Sequence, residues 1–254
     1  MKRLMVAAFT AAMMLSGSAF AGDREITSTG ELTGAVMPSA GAWIGAVSKS
    51  ADARFLASKI TDTRSAKDYA FSTGVSEEQG SFRLGVLLAD LKVALKAGDA
   101  EKATGVSQAF SAELAQLGAP ASLLKAVIAM NDGIRNGISL EAIWRASMPV
   151  LEPFVEEFIE KEGKIVYLRL GEWTEATRLA AMAAEEGKAE IISGLLKNAN
   201  PAGYFLDELK SAKIARGAVD ALKTLSELRA RETIGSREVK QAIEATTTLL
   251  KVMG

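Results

Sequence analysis

Apolar residues in this chain recur at helical rather than strand spacing, and the recurrences become dense from Ser76 onward. Leu84, Leu88, Leu91 and Leu95 follow at spacings of four, three and four, which predicts one buried stripe on a helix. Ser76 with Gln79 three positions on makes a capping box at its start, Glu77 and Glu78 suit the positive end of the helix dipole, and Gly98 ends it. Asp99 caps a second helix with Ala103, Val106, Phe110, Leu114 and Leu117 on its apolar face, stopped by Gly118 and Pro120. So short a turn predicts an antiparallel helix hairpin.

Helical spacing continues to the end of the chain. A shorter helix is expected over 121–132, closed by Gly133 and Asn136-Gly137, and Ser139 caps the next. Pro149 and Pro153 fall inside that next pattern and predict a kink or a division into two helices, the second ending at Gly163. Residues 164–186 form the longest uninterrupted candidate, followed by a short helix over 188–198 and a break at Asn200-Pro201. Two long helices close the chain: 212–231, with Ile214, Ala218, Leu222, Leu225 and Leu228 inward, and 237–253, capped by Ser236. Upstream, Trp43, Val47, Ala51 and Phe55 line one face of a first helix over 40–60, and 61–75 is polar and irregular, with Tyr69 and Phe71 against the body.

No region alternates with period two, apart from a short strand expected at 25–29. The expected fold is therefore all-α: an irregular bundle of about nine or ten helices built from antiparallel hairpins, occupying 39–254 as one domain. Tetratricopeptide arrays are the alternative, since Tyr167, Leu170 and Gly171 occupy positions of that repeat's first helix. Thr174 and Gly187 break the match, and no other segment repeats it.

The N-terminus has another character. Lys2 and Arg3 precede an apolar run from Leu4 to Leu15 and small residues ending Ala19-Phe20-Ala21, the plan of a secretory signal over 1–21, cleaved before Gly22. The run falls well short of the ~20 residues that span a bilayer. Residues 22–38, rich in Gly, Ser and Thr, read as an extended lead-in, and the mature protein is expected in the periplasm or secreted.

Composition then narrows the chemistry. Removing Lys2 and Arg3 from the 30 basic residues leaves 28 against 31 acidic ones, a mild negative balance that offers no field for nucleic acid or anionic lipid. The chain has no cysteine and no histidine, which excludes disulfides, thiolate nucleophiles, zinc-finger-like sites, His-ligated haem and Ser-His-Asp triads. No cofactor motif is present, and no catalytic or metal site is expected. Glu152, Glu156 and Glu160, four residues apart, read as a solvated acidic face, because a calcium site needs oxygens converging from a loop.

The best place to look for a binding site is the segment 167–178, which gathers aromatics, arginines and glutamates in about three turns. Tyr167 and Trp173 would serve as a stacking platform, with Arg169 and Glu172 as polar contacts. Against this, Trp173 fits the core, Glu175 can pair with Arg178, and Gly171 allows close helix contact. Trp144, beside the prolines, is a second candidate for a pocket wall, or a plain core residue. The expected function is a non-catalytic, exported helical protein that acts by binding another protein or as a structural or accessory factor in the periplasm, with a homo-oligomer as one form of such binding. The alternative is a binder of a small apolar or anionic ligand between helices.

Overall fold

The computed structural model describes residues 52–60, 76–188, 201–212 and 214–254. Among these, every regular element is helical: α1 (Ala53–Ser58), α2 (Glu77–Ala97), α3 (Ala100–Gln116), α4 (Ala121–Arg135), α5 (Leu140–Lys161), α6 (Ile165–Ala183), α7 (Pro201–Glu208), α8 (Arg216–Arg229) and α9 (Ser236–Met253), with a turn at Ala184–Lys188 where the chain leaves helical geometry at Gly187, φ 99°. The leader over 1–21, the lead-in over 22–38 with its strand at 25–29, the first helix up to residue 51, the stretch 61–75 and the helix expected over 188–198 from residue 189 on lie outside the described residues.

Two helices form the centre. In α2 the leucine stripe is buried, but so is everything from Gly80 to Leu95, so the expected one-faced helix is a core helix enclosed all round. Its ends follow the sequence: Ser76 Oγ accepts from the Gln79 N–H at 3.3 Å, Gln79 Oε1 accepts from the Ser76 N–H at 3.3 Å, and Gly98 turns the chain at φ 71°. Helix α6 packs along α2, and no residue from Ile165 to Ala183 is exposed.

Glycines set how closely the pair approaches. A Cβ on Gly85 would stand 2.0 Å from the Leu168 carbonyl oxygen, and one on Gly171 would stand 2.0 Å from that of Phe82. Only a residue without a side chain lets backbone meet backbone at this distance.

The outer helices wrap this pair. Helix α3 folds back on α2 through Gly98 and Asp99, α4 packs on α3, and α5 packs on α4 while touching both α2 and α6. On α6 lie α9 and α7, with α8 bridging those two, and α1 rests on α2. Phe110, Leu114, Leu222, Leu225 and Leu228 are buried as their spacing predicts.

Several boundaries differ from expectation. Helix α5 runs unbroken through Pro149 and Pro153. The prolines are four residues apart on the exposed face, where water can satisfy the carbonyls they orphan, while Met148, Leu151 and Val155 hold the other face in the core. Helix α4 passes through Gly133, whose missing side chain leaves room for the Ile138 and Ile143 methyl ends, and stops at Asn136, before Gly137 at φ 72°. Pro201 begins a helix that the sequence reading lacked, at the first position where a missing N–H costs nothing. The helix expected over 212–231 starts at Arg216. Ser236 is the first residue of α9 rather than its cap; Gly235 holds that place, its N–H donating to Glu238 Oε2 at 3.1 Å.

Candidate functional site

Charged residues buried between α2, α5 and α6 are the feature that apolar packing does not explain. Lys92 stands in the run 84–95, where every other residue except Asp90 is apolar or glycine, and its side chain is 0% exposed. Its Nζ donates to Glu172 Oε1 on α6 and to Glu152 Oε1 on α5, both at 2.6 Å. Glu172 is 2% exposed at its side chain and Glu152 22%, so the cluster runs from the core toward the surface along α5. One ammonium thus joins three helices.

Burial alone would pull the Lys92 ammonium below its ordinary value, but Glu172 and Glu152 together outweigh it and hold the group charged. The Glu172 carboxyl is pushed up to about 7 by burial, with Lys92 pulling the other way. Burial also raises Glu156, one turn beyond Glu152, against the opposing pull of Arg169. The acidic stripe is therefore not one solvated face: Glu152 turns inward to Lys92, Glu156 is half-buried and only Glu160 is exposed.

A second buried pair lies further along α6. Arg178 donates from Nη2 and Nε to Glu175 Oε1 and Oε2 at 2.6 and 2.8 Å, a fork-to-fork geometry, and Nη2 also reaches the Lys59 carbonyl at 3.0 Å. Lys102 Nζ donates to the next carbonyl, Ile60 O, at 3.2 Å. Two cations from the body thereby hold the end of α1. Near the start of α2, Glu113 is 1% exposed, its Oε1 has no hydrogen-bond partner, and burial pushes its carboxyl up to about 7 against the pull of Arg83.

The candidates from the sequence are dispersed. Tyr167 is buried beside Glu78 and Lys164 at the start of α2, and burial, followed by the Glu78 charge, raises its hydroxyl. Trp173 is 1% exposed and packs on Phe205 of α7 with ring centroids 5.4 Å apart. Six residues apart on α6, the two rings lie about 120° round the helix from each other, so they do not form one stacking surface. Arg169 is half-buried near Glu156, and Glu172 belongs to the Lys92 cluster. Trp144 is half-buried on α5, with Lys96 Nζ 4.9 Å above its ring. Glu78 and Lys96 mark opposite ends of α2, roughly 27 Å apart at the helical rise, so Tyr167 and Trp144 serve different places.

Of the cluster, the sequence pattern points to Glu172 but not to Lys92, and it places Glu152 on a solvated face rather than against an ammonium. The signal for Lys92 was a cation in an otherwise apolar run, which demands a buried partner. Among the described residues no group of three or more acidic side chains is placed to hold a metal ion, and no helix is long and apolar enough to cross a membrane. No family model matches the chain, and no curated protein or solved structure matches it either.

Chemically, the Lys92 cluster suits tying helices together and exchanging a proton. An ammonium held charged by two carboxylates is not a nucleophile.

Proposed function

We propose that this chain is an exported, non-catalytic helical protein that acts by binding another protein through its outer helix faces. The observation that carries this reading is the closure of α6. It bears four of the five candidate binding residues, none of its residues is exposed, and its buried charges Glu172, Glu175 and Arg178 are taken up by the protein's own groups. Export rests on the residue pattern over 1–21, and a periplasmic location follows from it.

The outward faces of the adjoining helices α4 and α5 carry Ile128 and Val150, 50% and 45% exposed, the large apolar side chains exposed among the described residues. Native mass spectrometry of the mature protein, purified gently from the periplasm, tests the proposal. The expected species is a protein complex or a multimer that Ile128→Asp with Val150→Asp weakens, its chains beginning at Gly22. A mass excess of small-molecule size that disappears on denaturation would overturn it.

A second reading, a small ligand between helices, has one observation in its favour. Trp173 Nε1, Thr174 Oγ1 and Thr177 Oγ1, close together on α6, are buried without hydrogen-bond partners. Buried polar atoms ordinarily find a partner, which a ligand or water would supply here. The same mass measurement separates the two readings.

A further inference from the structure

The charges around Glu172 do not balance. From α2 it faces Lys92; from α5 it faces Glu152 and Glu156, with Glu160 a further turn along; on α6 itself Arg169 stands one turn back. Helices α7 and α9, which also pack on α6, bury Phe205, Val239, Ala242 and Leu249 rather than charges. Just past α1, Lys59 pairs with Glu186 of the turn after α6, and Asp90, two residues from Lys92, lies on another side of α2. Against the cations Lys92 and Arg169 stand three carboxylates, the buried Glu172 and the partly buried Glu152 and Glu156, so full ionisation leaves one negative charge in excess around Glu172. An uncompensated charge in a protein core is costly, and a carboxylate there relieves the cost by taking a proton.

We propose that the Lys92–Glu172–Glu152 cluster is a proton-binding site, which takes one proton onto Glu172 and holds α5 against the α2–α6 pair most firmly when that proton is bound. Glu172 is the carboxylate that receives it, because it is the more deeply buried of the two that Lys92 touches, and the partly exposed Glu152 gives the proton a way in. The Glu172 value of about 7, raised by burial from 4.5, agrees with this placement. Between those values the folded chain holds a proton that the unfolded chain has released. The stability it contributes is therefore full below about 4.5 and is lost as pH rises through about 7.

Infrared difference spectroscopy across pH 7 on the intact protein tests the assignment. A buried protonated-carboxyl band is expected on the acidic side, lost on the alkaline side, missing from Glu172→Gln and retained in Glu113→Gln. Hydrogen exchange gives the structural readout: protection of α5 amides, corrected for intrinsic rate, should fall by up to about tenfold per pH unit between about 4.5 and the midpoint near 7, the limit for one linked proton, and level off above it. In Glu172→Gln the fall should be smaller. If Glu172→Gln does not fold, Glu152→Gln serves instead, since removing the competing carboxylate should leave Glu172 paired with Lys92 and move its titration to lower pH. A band unaffected by Glu172→Gln, or a midpoint unmoved by Glu152→Gln, overturns the proposal.

Discussion

Gly85 and Gly171 each place their missing side chain against the other helix's backbone, at the Leu168 and Phe82 carbonyls respectively, so the crossing of α2 and α6 is fixed from both sides. A methyl group 2.0 Å from a carbonyl oxygen cannot be accommodated by a side-chain rotation. Gly85→Ala and Gly171→Ala should therefore each destabilise by about 1–3 kcal/mol or more, the range of core overpacking. Gly105 on α3 has open space around it, and Gly105→Ala should stabilise by about 0.5–1 kcal/mol through helix propensity alone. Urea denaturation of the three variants decides the matter, and equal losses at all three would remove the argument.

The Lys92 cluster gives a second prediction, on stability at constant pH. Lys92→Met leaves Glu172 buried without its cation and should cost about 3–5 kcal/mol, the usual penalty for breaking a buried pair from one side. Adding Glu172→Leu removes the stranded carboxyl and should recover much of that loss, although more apolar surface has not been brought into contact with water. A double-mutant cycle measures the coupling, and purely additive losses would mean that Lys92 and Glu172 do not interact as described.

Arg178 spans Glu175 and the Lys59 carbonyl, and a lysine offers no fork to do both. Arg178→Lys should cost about 1–3 kcal/mol and loosen α1 before the rest. The chain has no cysteine, so Ala57→Cys, at a position 1% exposed, introduces a single thiol on α1. Its labelling should quicken when Arg178→Lys is added. Unchanged labelling with a lowered melting temperature would place the effect of Arg178 elsewhere than at α1.

The all-α class and the capped hairpin of α2 and α3 were legible in the sequence because they rest on local signals: Ser76 with Gln79, Gly98, Asp99 and leucines at helical spacing. Pro149 and Pro153 misled because their effect depends on which face of α5 meets solvent, and local sequence does not carry that. Of the site, Glu172 stands out by its neighbours on one helix, whereas its partner Lys92, and Glu152 that shares this ammonium, lie 80 and 20 residues away and come to it only through packing. Glu175 with Arg178 and the close contact at Gly171 were readable because a spacing of three and a lone glycine are helical facts. The leucine stripe on α2 hid its own larger meaning, since Gly80, Ser81, Arg83, Asp90 and Lys92 are buried too.

The remaining prediction concerns Glu113, a buried acid with no cation in hydrogen-bonding contact at Oε1. Burial raises its carboxyl from 4.5 to about 7, the Arg83 charge offsetting part of this, so folding favours the protonated form. The sign follows from proton counting: between those values the folded state binds a proton that the unfolded state does not, and stability falls as pH climbs through about 7. Glu113→Gln keeps the shape and removes the titration. Its denaturation midpoint should decline less than that of the unsubstituted protein from mildly acidic to mildly alkaline buffer, with the curves converging toward the acid side. A parallel decline would show that Glu113 is already ionised in the folded protein, its charge carried by Arg83 despite the burial.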